Sequence, residues 1–474
     1  MRIRLLGQYI PASIVVRAVI ELALLFAMVY GAAVIRLHQD IASIESSQGP
    51  LWPRALLFTG VTFACQLALG LHSARQRARS GGIFVRILAA VAFGVGVSGA
   101  ALFLIPNLWI GRGVVALAGL GAGIVALILH VFFARVIDER VFKVRVLVYG
   151  AGRSAEAISG LRRRADRRGF TVVGYVRPAA EELENPIAGR SSPASESVFE
   201  GSVGLPELCK RFDVDEIVVA VDDRRRSFPI RELLECRLAG VDVTELLTFL
   251  ERESGRVRID VLNPSWIIFG EGFRRGSLRQ LTARALDLVA GVVIVLLSVP
   301  AIIITVVAIK IEDGLGTPVL YRQQRVGLGG RMFTLKKFRS MDIDAEAPGE
   351  ARWAQRDDPR VTRVGAVIRK LRIDELPQLF NVLRGDMSLV GPRPERPEFV
   401  ASLAEKIPYY VERHCVKPGI TGWAQLCYPY GSSEQDALEK LQYDLYYIKN
   451  NSLLLDLAIL VQTAEVAIFG KGAR

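Results

Sequence analysis

The sequence predicts a membrane protein built from three parts. These are a four-helix transmembrane bundle (residues 1–137), an α/β domain (138–270), and a mainly α-helical domain (271–474) that opens with a re-entrant membrane helix. Mean hydropathy is +0.31 although 23% of the residues are charged, so apolar and charged residues must be segregated along the chain. Long apolar runs, then alternating strands and helices, then a further apolar segment account for the three parts.

The bundle is predicted from four apolar runs, each near the roughly 20 residues that a spanning helix needs. The runs cover 12–35, 51–71, 83–105 and 108–131. Arginine and lysine precede the first run, separate the second from the third and follow the fourth, whereas the alternate connections carry fewer. Because basic connections stay in the cytoplasm, we expect both ends of the bundle to face it.

The α/β domain is predicted from a strand at 144–149 that is followed by Gly150-Ala151-Gly152 and a helix. This G-x-G-x-x-A pattern between strand and helix is typical of a Rossmann-like domain, in which the glycines let a phosphate approach the helix N-terminus. The next strand, however, ends in Val176-Arg177 where an acidic residue would hold a ribose. We therefore expect a structural or regulatory domain, with nucleotide binding at Gly150 and Gly152 as the alternative.

A further apolar stretch at 285–309 predicts the re-entrant helix. Basic residues flank it on both sides, at 274, 275, 279 and 284 and at 310, 322, 325 and 331, which disagrees with a single crossing. Pro300 removes a backbone hydrogen bond near the centre of the stretch, and Ser298 can help to satisfy the freed group. We expect the helix to break at Ser298 and Pro300 and to enter and leave the membrane on the cytoplasmic face.

The final third of the chain contains adjacent carboxylates, Asp374 and Glu375, close to three basic residues at 369, 370 and 372. Asp374 stands where a helix is expected to begin, and a helix N-terminus beside cations suits phosphate. An aspartate can attack phosphorus directly, and a neighbouring carboxylate can bind Mg²⁺. The formal net charge of +12 also favours anionic partners. A plain capped helix explains the same residues equally well.

Longer motifs decide between these interpretations. They read KKFRSM at 336–341, DPRVTR at 358–363, DELPQLFNVLRGDMSLVGPRP at 374–394 and PGITGWAQ at 418–425. With these motifs the chain resembles the bacterial sugar transferase family, the polyprenyl-phosphate hexose-1-phosphate transferases. Four spans and a Rossmann-like domain ahead of them resemble the large form, the exopolysaccharide biosynthesis polyprenyl glycosylphosphotransferases. One departure is Val299, which separates the serine and proline that are usually adjacent.

The resemblance implies a ping-pong transfer of a hexose-1-phosphate from a UDP-sugar to undecaprenyl phosphate, with release of UMP. It assigns Asp374 as the nucleophile and Glu375 as the Mg²⁺ ligand. The basic residues implied for phosphate binding are Lys337, Arg339, Arg360, Arg363 and Arg393. Guanidinium groups bind phosphate oxygens well in bidentate geometry.

The resemblance also implies a location and partners. We expect a multi-pass protein of the bacterial inner membrane with its catalytic domain on the cytoplasmic face, a homodimer, and downstream glycosyltransferases of polysaccharide assembly. Nucleic acid is not expected, since it would explain the charge but neither the spans nor the carboxylates. Two alternatives stay open. One is a membrane-bound nucleotide-sugar dehydratase, although no tyrosine is followed by a lysine four residues later. The other is a non-catalytic scaffold for polysaccharide assembly.

Overall fold

The computed structural model describes residues 2–5, 8–69, 71, 80–105, 108–137, 143–159, 161, 169–178, 197–200, 203–222, 228–262, 276–342, 359–428, 431 and 433–469. The chain divides into two compact units, Met1–Ser254 and Gly255–Arg474. The basic connection predicted at 75–79 lies outside the described residues.

The first unit begins with a short antiparallel hairpin and the helical bundle. The hairpin strands are β1 (Arg2–Leu5) and β2 (Gln8–Pro11), and the helices are α1 (Ala12–Leu37), α2 (Ile41–Gln48), α3 (Trp52–Ala68), α4 (Ser80–Leu104) and α5 (Arg112–Ile137). All four predicted apolar runs therefore form helices. Their shared core includes Ala33, Ala55, Phe58 and Ala118, each at most 1% exposed.

Among the described residues, four helices are long and apolar enough to cross a membrane. They are Val15–Leu37, Arg86–Leu104, Arg112–Phe133 and Ser277–Asp313. Helix α3 has 17 residues, which is the lower limit of about 17 for a span. The chain is thus a membrane protein, as predicted.

The rest of the first unit is an α/β domain with a five-stranded parallel sheet in the order β5-β4-β3-β6-β7. Its elements are β3 (Val144–Tyr149), α6 (Arg153–Ser159), β4 (Phe170–Arg177), β5 (Ser197–Glu200), α7 (Leu205–Phe212), β6 (Glu216–Val219), α8 (Ile230–Leu238), β7 (Asp242–Glu245) and α9 (Leu246–Ser254). The predicted parallel sheet is confirmed. The strand order reverses beside β3, so the glycine loop at 150–152 lies at the point where such sheets usually bind ligands.

The second unit is mainly α-helical, as predicted. Its elements are α10 (Ser277–Asp313), β8 (Leu320–Val326), β9 (Met332–Phe338), α11 (Arg363–Lys370), α12 (Gln378–Arg384), β10 (Ser388–Val390), α13 (Pro397–Lys406), β11 (Gly419–Thr421), α14 (Trp423–Cys427), α15 (Glu434–Asn450) and α16 (Leu453–Phe469). Strands β8 and β9 form an antiparallel hairpin, and β10 pairs in parallel with β11.

Helix α10 has 37 residues and contains Pro300. At 1.5 Å per residue its path is about 55 Å, well above the roughly 30 Å of a bilayer core. Near its beginning, Arg284 donates to the carbonyls of Val382 and Leu383 at 2.7 and 2.6 Å. At its end, Asp313 pairs with Arg339 at 2.5 Å. Both ends of this apolar helix therefore bind the same compact unit.

Candidate active site

The adjacent carboxylates Asp374 and Glu375 lie in a single 3₁₀ turn, Ile373–Glu375, ahead of α12. The chain enters this turn through Arg372, whose φ of 60° is left-handed. The expectation that a helix begins at Asp374 is wrong, because α12 begins at Gln378. The backbone hydrogen bonds of this segment span three residues instead of four, from Leu376 N to Ile373 O at 3.1 Å and from Leu379 N to Leu376 O at 3.0 Å, so the turn is 3₁₀ and not α-helical. The turn holds both carboxyl groups on one short, rigid segment.

The two carboxyl groups have different electrostatic environments. Burial raises the pKa of Asp374 to about 6, and the charge of Glu375 adds to that effect. Burial also acts to raise the pKa of Glu375, but the guanidinium groups of Arg393 and Arg372 outweigh it, so that pKa lies below its usual range. One carboxylate is therefore firmly ionised, while its neighbour is poised near neutral pH.

The two carboxyl groups also differ in their hydrogen-bond partners. Oε1 of Glu375 accepts a hydrogen bond from Arg393 Nη2 at 3.0 Å and lies 3.6 Å from Arg372 Nη1. Oδ1 of Asp374 is buried and has no hydrogen-bond partner in the part of the chain that the structure describes. Buried polar atoms are normally satisfied, so an orphaned carboxylate oxygen marks a place where a ligand can bind.

Lys337 belongs to the same charge cluster. It stands on β9 opposite Tyr321 of β8, and its Nζ lies 5.0 Å from the centroid of the tyrosine ring. Burial lowers the pKa of Lys337 and the charge of Arg325 lowers it further, whereas Asp374 acts in the opposite direction. The structure thus brings Lys337 within electrostatic reach of the carboxyl pair.

A buried ion pair supports the backbone at Arg393. Arg413 Nη2 donates to the backbone oxygen of Arg393 at 3.1 Å and to Asp444 Oδ2 at 2.9 Å, and its Nη1 donates to Tyr410 at 2.7 Å. The side chains of Arg413 and Asp444 are only 7% and 3% exposed. Because removing two charges from water is costly, such a pair must be closely matched in geometry. It fixes the turn that presents Arg393 to Glu375.

The other predicted basic residues occupy a different place. Arg339 is 7% exposed and pairs with Asp313 at the end of α10. Arg363 begins α11, where its N–H and that of Val364 donate to the carboxylate of Glu312 at 2.8 and 3.0 Å. Arg360 accepts a backbone hydrogen bond from Asp342 at 3.0 Å. These residues join α10 to the β8–β9 hairpin and α11, and their role in donor binding stays a prediction.

Sequence analysis missed several residues of the cluster. Arg325 donates to the backbone oxygen of Pro394 at 3.2 Å and lies 3.7 Å from Glu395. Lys440 has its pKa lowered by burial, and the charge of Glu395 opposes that shift. In the structure, alternate positions of β8 from Tyr321 to Arg325 are partly buried and share one face, but the polar sequence of this strand did not reveal that face. The sequence around Lys440 gave no local signal either.

The carboxylate of Asp222 lies at the glycine loop of the α/β domain. Both carboxylate oxygens of Asp222 accept hydrogen bonds from the first turn of α6, from Arg153 N at 2.9 Å and Ser154 N at 2.8 Å. A Cβ on Gly152 would lie 2.0 Å from Asp222 Oδ2, and one on Gly150 would lie 2.3 Å from the backbone oxygen of Ala220. A carboxylate thus occupies the place of a nucleotide phosphate, which favours the structural role expected for this loop.

A divalent cation at the carboxyl pair would need ligands from a substrate. Among the described residues, no three His, Cys, Asp or Glu side chains come together as a metal site. Mg²⁺ is commonly bound by one or two carboxylates plus substrate phosphates. The orphaned oxygen of Asp374 and the adjoining Glu375 fit that pattern.

Comparison with known proteins places the second unit in a family. The sequence profile described as "Bacterial sugar transferase" matches residues 278–470. The UDP-N-acetylgalactosamine-undecaprenyl-phosphate N-acetylgalactosaminephosphotransferase of Aeromonas hydrophila is 45% identical over 244 residues, which are 52% of this chain and 56% of that protein. The undecaprenyl-phosphate glucose phosphotransferase of Komagataeibacter xylinus is 47% identical over 199 residues, 41% of this chain and 37% of that protein. The chain therefore spans about half or less of the length of these two relatives.

A third relative is matched over a longer stretch. The UDP-glucose:undecaprenyl-phosphate glucose-1-phosphate transferase of Xanthomonas campestris pv. campestris is 33% identical over 350 residues, 69% of this chain and 67% of that protein. Those 350 residues exceed the 220 of the second unit, so the likeness extends into the first. The chain belongs to the bacterial sugar transferase family.

Proposed function

We propose that the chain transfers a hexose-1-phosphate from a UDP-sugar to undecaprenyl phosphate, releasing UMP and starting exopolysaccharide assembly. The observation that carries the proposal is the orphaned, buried oxygen of Asp374 beside a glutamate that is neutralised by arginine. The names of the relatives support the substrates, since those from Aeromonas and Xanthomonas are described as UDP-sugar:undecaprenyl-phosphate transferases.

In the first half-reaction, a carboxylate oxygen of Asp374 attacks the β-phosphorus of the UDP-sugar. A bond forms between that oxygen and phosphorus, the bond from phosphorus to the UMP oxygen breaks, and UMP leaves with the electron pair. The product is a phosphosugar–aspartyl enzyme. A pKa of about 6 supports this role, because the group is ionised at neutral pH yet more basic than an ordinary carboxylate.

Lys337 and Arg393 are suited to neutralise the phosphates of the donor. Arg393 is 48% exposed and forms an ion pair with Glu375. Its side chain is therefore already ordered, and its remaining N–H groups are accessible to a ligand. A fixed cation that faces developing negative charge stabilises a transition state without reorganisation. Mg²⁺ bound through Glu375 and the donor would supply further charge neutralisation at the diphosphate.

In the second half-reaction, an oxygen of undecaprenyl phosphate attacks the same phosphorus and releases Asp374 as a carboxylate. The acceptor is anchored in the membrane, so its phosphate must reach the carboxyl pair at the level of the lipid headgroups. Helix α10 supplies that proximity, because it is apolar and contacts the segments that carry the site.

We also propose that α10 is re-entrant. Both of its ends bind the second unit, through Arg284 near the beginning and Asp313 at the end. A helix that crossed the bilayer once would have its ends on opposite sides, about 30 Å apart, and could not place both on one compact unit at one face. Between these ends Leu296, Leu297 and Ile304 are 66–77% exposed, as expected for contact with lipid.

Location follows from the same argument. Basic residues flank α10 on both sides, which favours the cytoplasmic face of the inner membrane for the second unit. The homodimer and the downstream glycosyltransferases stay predictions.

The deciding experiment measures UMP release from a panel of UDP-sugars, with and without undecaprenyl phosphate. The wild type should release at most one UMP per enzyme without lipid and turn over continuously with it. Asp374→Asn should release none, whereas the matched control Asp386→Asn, at the opposite end of α12, should stay active. Chelation with EDTA should stop the reaction, and added Mg²⁺ should restore it.

Each alternative has its own signature in this assay. UMP release that survives Asp374→Asn would remove the nucleophile assignment. Turnover that ignores EDTA would remove the metal. Failure to bind or cleave any donor would favour a non-catalytic scaffold.

A further inference from the structure

A cleft of about 640 Å³ opens at the end of the bundle where α1 ends and α5 begins. That size falls within the roughly 300–1,000 Å³ of ordinary ligand sites. The residues that line it belong to α1, α4, α5 and the connection before α5, and none of them belongs to the carboxyl pair or the glycine loop.

The cleft is positively charged. Arg36 and Arg112 line it, and no described residue of its lining is acidic. The third arginine at this end of the bundle, Arg54, differs from them because it is 6% exposed and donates to the backbone oxygen of Gly49 at 3.1 Å. No described carboxylate forms an ion pair with Arg36 or Arg112. Within the described residues, the two guanidinium groups at the cleft thus have no carboxylate as a partner.

Aromatic residues line and flank the cleft. Trp109 lines it and is 51% exposed, and Trp52 at the start of α3 is 54% exposed. Tryptophan is enriched at the level of the lipid headgroups. Phe103 also lines the cleft, and the Cζ atom of Arg112 lies 6.0 Å from the centroid of its ring. Arginine beside exposed tryptophan is the composition expected at the level of lipid phosphates.

Gly113 gives Arg36 its position. A Cβ at this glycine would lie 2.5 Å from Arg36 Nε, 3.1 Å from its Cδ and 3.4 Å from its Cγ. The Nε atom would have to move and Cδ would have to give way slightly, so alanine at 113 should displace the guanidinium group of Arg36. Gly111 lines the same cleft, but a Cβ there would meet only Val114, at 4.0 Å. Gly113→Ala and Gly111→Ala are therefore a matched pair, since both add one methyl group to the lining of the cleft and only the first meets Arg36.

We propose that this cleft binds the phosphate of an anionic glycerophospholipid. Guanidinium groups bind phosphate oxygens through charge-assisted, bidentate hydrogen bonds, and two of them exceed the charge of a single phosphodiester. A zwitterionic headgroup would bring its own ammonium group beside the arginines, so an anionic lipid is favoured. The bound lipid would join the ends of α1, α4 and α5.

Native mass spectrometry of the detergent-solubilised full chain tests this proposal. Phosphatidylglycerol, phosphatidylethanolamine and inorganic phosphate are titrated separately. Phosphatidylglycerol should bind most tightly, and Arg36→Gln and Arg112→Gln should each weaken it about tenfold or more, the effect of losing one charged hydrogen bond. Gly113→Ala should weaken it similarly, whereas Gly111→Ala should not.

Equal binding of the two lipids, or equal binding to the two alanine variants, would overturn the proposal. Inorganic phosphate that displaces phosphatidylglycerol at similar concentration would also overturn it, because the site would then hold a free anion. If an arginine variant does not fold, the alanine pair decides, since both of these variants keep every charge.

Discussion

Asp374→Asn should stabilise the protein while abolishing its activity. In the folded chain the pKa of Asp374 is raised from 3.8 to about 6. At about 1.4 kcal/mol per pKa unit, this difference means that the ionised group destabilises the fold by about 3 kcal/mol. Asparagine has nearly the same shape and no charge, so it removes that penalty.

The pH dependence provides the test. A carboxyl group whose pKa is raised on folding binds its proton more tightly in the native state, so the wild type loses stability as the pH rises from about 4 through 6. The advantage of Asp374→Asn should therefore be complete at pH 8 and absent near pH 4. For a unit of this size, about 3 kcal/mol corresponds to a melting shift of roughly 6–12 °C.

Thermal unfolding of the detergent-solubilised full chain, without substrate or divalent ions, measures the shift. Glu375→Gln is the matched control and should have the opposite sign. The pKa of Glu375 is lowered on folding, so its charge stabilises the protein above the unfolded pKa, and glutamine should lower the melting temperature at pH 8. Equal melting of wild type and Asp374→Asn at pH 8 would refute a desolvated Asp374.

Three further predictions concern neighbouring features. Arg393→Lys should reduce kcat/KM for UMP release roughly ten- to hundredfold, because lysine lacks the planar fork that holds Glu375 and phosphate; an unchanged value would remove Arg393 from the site. Arg413→Met should lower stability by about 3–5 kcal/mol by leaving Asp444 buried and unpaired, and the double variant with Asp444→Leu should recover much of that loss in thermal melts; a double variant no more stable than Arg413→Met would contradict this account. Pro300→Leu should straighten α10 and abolish lipid-dependent turnover, measured together with the accessibility of a cysteine placed after the helix; full turnover with unchanged accessibility would show that the proline does not set the topology.

The elements of the fold were predictable because they depend on local patterns. Apolar runs of spanning length became α1, α3, α4 and α5, and the strand at 144–149 was found at the expected residues. The start of α12 was misplaced, since a good capping residue at 374 and a tolerated proline at 377 suggested one continuous helix. The structure forms a 3₁₀ turn at Ile373–Glu375 instead, and the capping preference of an aspartate does not distinguish that turn from the first turn of an α-helix.

The supporting residues of the site were harder to predict because their partners are distant in sequence. Arg413 and Asp444 are 31 residues apart, and nothing in the local pattern marks either as buried. Asp222 lies 69 residues from the amide of Arg153 that it accepts from, so the glycine motif alone could not reveal its internal ligand. Asp374 and Glu375 were singled out because adjacent carboxylates beside basic residues coincided with the motif at 374–394.

The carboxylate of Asp222 has a consequence for how the α/β domain responds to the cell. A domain whose loop must be filled by a nucleotide gains stability as that nucleotide accumulates and loses it on depletion. Here the anion is the side chain of Asp222 itself, which accepts hydrogen bonds from the backbone N–H groups of Arg153 and Ser154 at 2.9 and 2.8 Å. The contact that fills this loop therefore does not vary with the size of the nucleotide pool, because Asp222 is part of the chain.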